Sequence, residues 1–179
     1  MSTSLYDIDP AHSGAHFSVR HMMISNVKGE FTKVSGTVAF NPDNPAESHV
    51  EATIDAASVR TRDEQRDAHL KSADFFDVAT YPEIRFVSKS VAAHGEGEYV
   101  VKGDLTIHGV TREVTLQVEG PTPEVKDPWG NMRAGVAATA KINRKDFGLG
   151  WNVALETGGL LVGEQISITL EMELIHRAA

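Results

Sequence analysis

At 179 residues and 19.4 kDa, with 41% hydrophobic and 23% charged residues, the chain has the size and composition of one globular domain, read as a single domain over residues 1–179. A formal net charge of -8 removes the electrostatic footprint that nucleic-acid binding by counterion release requires and disfavours anionic membrane surfaces, leaving neutral or apolar ligands open. The chain has no cysteine, hence no disulfide, no thiolate nucleophile and no cysteine-based metal site, and no apolar run is long enough to span a membrane.

Met1 to Pro10 shows no basic stretch followed by an apolar one, which points to a cytoplasmic location. From there, period-two alternation recurs to the end of the chain, the pattern of half-buried strands. Phe17, Val19 and His21 share a face, then Val34, Val38 and Phe40, then Val50, Ala52, Ile54 and Ala56. A helix is expected from Thr61 to about Leu70, where Thr61 and Glu64 have capping-box spacing and Asp63 suits the positive helix start. Ile84 and Phe86 follow, and then Tyr99, Val101, Gly103, Leu105 and Ile107. A short turn around His108 and Gly109 leads into Val114, Leu116 and Val118. Ala134, Val136, Ala138, Ala140 and Ile142 form the next face, and Ile166, Ile168, Leu170, Met172 and Leu174 the last. Turn clusters such as Asn41-Pro42-Asp43-Asn44-Pro45 and Gly120-Pro121-Thr122-Pro123 separate these segments. The fold class is therefore all-β: an antiparallel meander of eight long strands closed into a barrel, with one short helix near a barrel end.

A barrel of eight strands is either just filled by side chains or just able to hold a ligand. Ala52, Ala56, Ala134, Ala138, Ala140 and Gly103 are small for inward positions. They either leave a tunnel or accommodate barrel taper. Strands of about ten residues would enclose a space about 30 Å long, which suits a chain-like ligand. Ten buried methylene-sized groups would contribute about 8 kcal/mol before the entropic costs of binding, so few polar anchors are needed.

Candidate ligand contacts on the inward faces are Phe17 and Val19, Phe86, Leu105 and Ile107, and Ala138 and Ala140, and Phe31 is a further candidate contact. Phe75 and Phe76, between the helix and a strand, either cap the barrel or line its mouth. His21 is a candidate headgroup contact. Trp129, Asn131 and Arg133 offer an indole N–H, an amide and a guanidinium to a headgroup, with a solvated loop as the alternative. His16 and His21 have opposite parity and His12 approaches only through a turn, so no metal site is expected and no cofactor is implied. Arg66, Asp67 and His69 are read as fixing the helix to the rim by hydrogen bonds. The stretch from Gly148 to Val153 touches a dinucleotide pattern without its final glycine or a βαβ context, and neither a nucleophile-elbow nor a zinc-protease motif occurs.

Several segments in order resemble the YceI-like, or polyisoprenoid-binding, family. They are Asp9-Pro10-Ala11-His12-Ser13, Val27-Lys28-Gly29-Glu30-Phe31, Arg66-Asp67-Ala68-His69-Leu70, Ser72-Ala73-Asp74-Phe75-Phe76-Asp77, and Tyr81-Pro82-Glu83-Ile84-Arg85-Phe86. Gly103-Asp104-Leu105-Thr106-Ile107-His108-Gly109-Val110-Thr111, Asp127-Pro128-Trp129-Gly130 and Asn143-Arg144-Lys145-Asp146-Phe147-Gly148 complete the set. The resemblance implies a lipocalin-like barrel that binds a polyisoprenoid lipid, such as a prenyl quinone or prenyl phosphate, for storage, sequestration or transport. It also implies a non-enzymatic protein, often a homodimer, and places Phe147, Leu149 and Trp151 by the barrel opening as pocket lining. Many relatives carry a secretory signal, whereas this sequence starts directly at the domain. Two other classes stay open: an enzyme acting on an apolar or isoprenoid substrate, metal-dependent through the histidines, and a filled barrel serving as a dimer or partner scaffold.

Overall fold

Strong alternation leaves each strand one apolar face to bury, and in the computed structural model, which describes residues 3–156 and 159–178, closure of the sheet meets that demand. The first stave of the barrel is β1 (Ser4–Ile8) continued by β2 (Gly14–His21), and the second is β3 (Ser25–Phe31) continued by β4 (Val34–Phe40). The third is β5 (His49–Asp55) continued by β6 (Val59–Arg60). The remaining staves are β7 (Glu83–Ala93), β8 (Glu98–Ile107), β9 (Val110–Glu119), β11 (Met132–Asn143) and β12 (Val162–His176). A two-residue strand, β10 (Val125–Lys126), folds back on β11.

Each stave is antiparallel to the next. The last closes on the first, with β12 paired to β1 at Ile8↔Leu174 and to β2 at Phe17↔Ile168. β11 joins the two halves, pairing with β9 at Ala138↔Val118 and with β12 from Arg133↔Ile175 to Asn143↔Gln165. The result is a closed antiparallel barrel of eight strands with one helix, as the alternation predicts. Closure satisfies the main-chain groups that an open sheet edge would expose, and a one-residue slip would turn a whole apolar face outward.

Two aromatic rings lie across glycines on neighbouring strands. Phe17 is paired with Gly29, and a Cβ there would come within 2.4 Å of the ring. Phe86 lies over Gly103, where a Cβ would meet the ring and the Val87 oxygen, each at 2.5 Å. Glycine at these positions lets large inward rings lie along the wall.

The helix, α1 (Glu64–Lys71), starts later than its sequence suggests. Asp63 is the N-cap and accepts from the Gln65 and Arg66 amides, while Arg62 takes a positive φ of 67° and turns the chain just before it. Thr61 lies before that turn, so no Thr61–Glu64 capping box forms. Its hydroxyl instead donates to Asp67 at 2.6 Å and accepts from Arg66 Nε at 2.7 Å. Arg66 also donates to the Thr61 main-chain oxygen at 2.6 Å, so this group ties the helix to the rim.

Candidate functional site

The inward faces enclose a cavity of about 380 Å³ whose lining reaches both ends of the barrel. On β12 alone its wall runs from Val162 to Leu174, roughly 40 Å of strand, or about 30 Å along the axis at the usual tilt. The wall is made mostly of aliphatic and aromatic side chains. Val50, Ala52 and Ile54, Val114, Leu116 and Val118, and Ile166, Ile168 and Leu170 contribute in strict alternation.

Of the side chains singled out from the sequence, Phe17, Val19, Phe31, Phe75, Phe76, Phe86, Leu105 and Ile107 all lie on this wall, as do Ala138, Ala140, Leu149, Trp151 and His21. Phe147 does not. It sits in a 3-10 turn, Arg144–Phe147, ended by Gly148 at φ 75°, and is buried in the packing instead of lining the opening with Leu149 and Trp151. Phe75 and Trp151 close one end together with His69. The His69 ring lies edge-on to both, with centroids 5.1 and 4.6 Å away, and its Nε2 is 2.9 Å from Asp74.

The four candidate headgroup residues do not converge. His21 is paired with Val162 and Arg133 with Ile175, at opposite ends of β12. Trp129 is 81% exposed, and the Trp129 and Asn131 amides both donate to Asp127 Oδ1 at 2.9 Å in a tight loop. Arg133 donates to Asp127 at 2.6 Å, to Asp9 at 2.7 Å and to Glu173 at 2.9 Å. Its guanidinium holds the Asp127 carboxyl down at about 2. Asp9 is pushed up by burial but lowered further by hydrogen bonds from His12 and Arg133, and ends below its usual value.

Asp9, His12 and Glu173 bring ligand-capable atoms within 4.8 Å of one another. Arg133 already lies on both carboxylates, so the charge a metal ion would supply there is provided by the guanidinium. His16 pairs instead with Glu30 at 3.6 Å.

Most of the basic and polar wall residues gather at the α1 end, namely Arg20, His21, Thr61, Arg66, His69 and Arg144, with His16 and Ser48 elsewhere along the wall. Arg144, singled out in no role by the sequence reading, is only 3% exposed and donates to the main-chain oxygens of Gly163, Leu149, Trp151 and Val162. Burial pushes its pKa down, opposed by Glu164. A signal for it was present, because Arg144 has the same parity as Ala138, Ala140 and Ile142.

The YceI-like domain family matches residues 6–174 of this barrel. The chain belongs to the YceI-like family. A UPF0312 protein of Staphylococcus aureus is 38% identical over 168 residues, covering 94% of this chain and 95% of the relative. One from Photorhabdus laumondii is 45% identical over 141 residues, covering 79% and 72%. Among solved structures, BcnA of Burkholderia cenocepacia superposes with a TM-score of 0.78 at 28% identity, covering 93% of this chain and 98% of BcnA. A polyisoprenoid binding domain from Saccharophagus degradans has the same fold, with a TM-score of 0.68 at 17% identity and coverage of 96% and 98%.

Proposed function

We propose that this YceI-like protein is a non-enzymatic carrier that holds one long polyisoprenoid lipid, a prenyl quinone or prenyl phosphate, for storage, sequestration or transport. The observation that carries this reading is the apolar cavity extending along the whole barrel, lined by alternating inward side chains from every stave. An extended chain gains contact along the full length of such a space, at about 0.8 kcal/mol per buried methylene, whereas a compact metabolite would leave most of it unfilled. The tail lies along the axis and the headgroup sits at the α1 end, where Arg66, His69 and Arg144 border the wall. That a polyisoprenoid binding domain shares the fold adds support.

The test is mass spectrometry of lipid extracted from the purified protein, paired with displacement of an apolar environment-sensitive dye by a prenyl quinone. A prenyl lipid released by extraction and competitive dye loss are expected. Folded, delipidated protein that takes up neither dye nor prenyl quinone would refute the carrier reading.

A further inference from the structure

At the tip of the β2–β3 hairpin, Ile24 N–H donates to the His21 oxygen at 3.2 Å, closing a turn whose central residues are Met22 at φ 52° and Met23 at φ 62°. Two consecutive left-handed residues define a type I′ turn, whose positions favour Asn-Gly because bulky side chains are strained there. The β8–β9 hairpin makes the matching choice, with His108 at φ 55° and Gly109 at φ 71°. The β2–β3 hairpin instead places two methionines where sterics disfavour them and holds them in solvent: Met22 is 44% exposed, Met23 59% and Ile24 75%. Folding alone does not account for a strained turn that exposes three apolar side chains.

These side chains continue the cavity wall outward. Met22 N–H donates to the Leu161 oxygen at 2.7 Å, and Leu161, Val162, Arg20 and His21 all line the cavity. Exposed Leu160 and Val153 extend the patch on the facing loop, where Leu161 N–H donates to the Val153 oxygen at 2.9 Å. No Asp or Glu occurs between Asp9 and Glu30 in a chain that has 25 acidic residues, and Arg20 and Lys28 flank the tip. The hairpin tip therefore carries none of the chain's negative charge, and Glu156 is the acidic residue on the facing loop.

We propose that the Met22-Met23-Ile24 tip is the point at which the barrel docks on a lipid bilayer, inserting its apolar side chains so that a lipid chain passes between membrane and cavity without crossing water. The inference rests on the carrier reading. A bilayer is the occupant that fits, because an acid-free apolar tip adjoining the cavity wall meets a surface that both accepts apolar side chains and supplies the cargo.

The experiment compares wild type with the triple variant Met22→Asn, Met23→Gly, Ile24→Ser, using flotation with phosphatidylcholine vesicles and transfer of a fluorescently labelled geranylgeraniol between vesicles. Asn-Gly suits the I′ turn, so the variant melts at or above the wild-type temperature. Expected are wild-type flotation, a drop of about fivefold or more in bound fraction and transfer rate for the variant, and unchanged probe uptake from ethanol solution. Absence of wild-type flotation, or equal flotation and transfer by both proteins, overturns the proposal. So does a wild-type homodimer in sedimentation that dissociates in the variant while vesicle binding is unaffected, since the tip is then a face between copies. If the triple variant misfolds, Ile24→Ser alone is held to the same outcomes. Failure of uptake from ethanol by the wild type refutes the carrier reading instead, and flotation still reports on docking.

Discussion

The guanidinium of Arg144 donates to the main-chain oxygen of Trp151 at 2.9 Å, so a buried cation at the end of β11 holds the aromatic that closes the α1 end of the barrel. The same side chain binds the oxygens of Val162 and Gly163 at the start of β12, which fastens both sides of the intervening loop. Replacing Arg144 by Gln leaves several of these carbonyls without a donor, at an expected cost of about 3 kcal/mol or more. In a chain of this length that corresponds to a melting temperature lower by about 6–12 °C. Lysine keeps the charge but lacks the planar fork. Arg144→Lys is therefore expected to melt well below wild type, and a melt coincident with wild type would show that charge alone suffices.

Ala138 is paired with Leu170 and Val118, lies on the cavity wall and is buried, whereas its neighbour Thr139 is exposed. In a filled barrel Ala138→Trp would overpack and cost about 1–3 kcal/mol or more. Facing a cavity, the indole occupies space otherwise held by the ligand, and the variant should melt within about 1 kcal/mol of wild type while losing prenyl-lipid retention. Thr139→Trp, on the outer face, should retain it. Strong destabilisation by Ala138→Trp, or unchanged loading, would show that this face is not the ligand wall.

Gly103 gives the Phe86 ring its place. A methyl group there meets the ring and the Val87 oxygen, each at 2.5 Å, so Gly103→Ala forces Phe86 into the cavity and shifts the strand. Stability is expected to fall by about 1–3 kcal/mol, and dye capacity to fall with it. Gly150→Ala serves as the control, since a Cβ there meets nothing within 4 Å. Equal behaviour of the two variants in melting and dye uptake would contradict the ring placement.

The cluster around Arg133 predicts the acid limb of the stability curve. Asp127 titrates at about 2 in the folded protein, held down chiefly by Arg133, and Asp9 is also below its usual value. Unfolded carboxyls titrate near pH 4, so the contribution is present in full above about pH 4 and is lost as pH falls through the folded values toward about 2. Melting temperature should decline over that window in wild type. Arg133→Met should start lower at pH 6 and decline less, and parallel curves for the two proteins would dissociate the acid limb from this cluster.

Alternation along single strands was sufficient to place Val114, Leu116 and Val118 or Ile166, Ile168 and Leu170 on the interior wall, because successive side chains on a strand point to opposite faces whatever their partners are. The parity of Ala140 and Ile142 runs on to Arg144, the first residue after β11, although the sequence reading gave that residue no role. Alternation says nothing once the backbone has left the extended form, and Phe147, at the far end of the 3-10 turn that Arg144 opens, packs into the core and not onto the wall. Nor does periodicity say which strand ends meet. That depends on pairings between distant residues, such as Tyr6 with His176 and His21 with Val162, which only closure of the barrel establishes. Those pairings separated His21 from Trp129, Asn131 and Arg133 by the length of β12, and they brought Arg66, His69 and Arg144 together at one end of the cavity. Local alternation determined the inside and outside of each stave, while closure across the chain decided which chemistry stands at which end, because side-chain direction is a property of one strand and proximity is a property of the paired sheet.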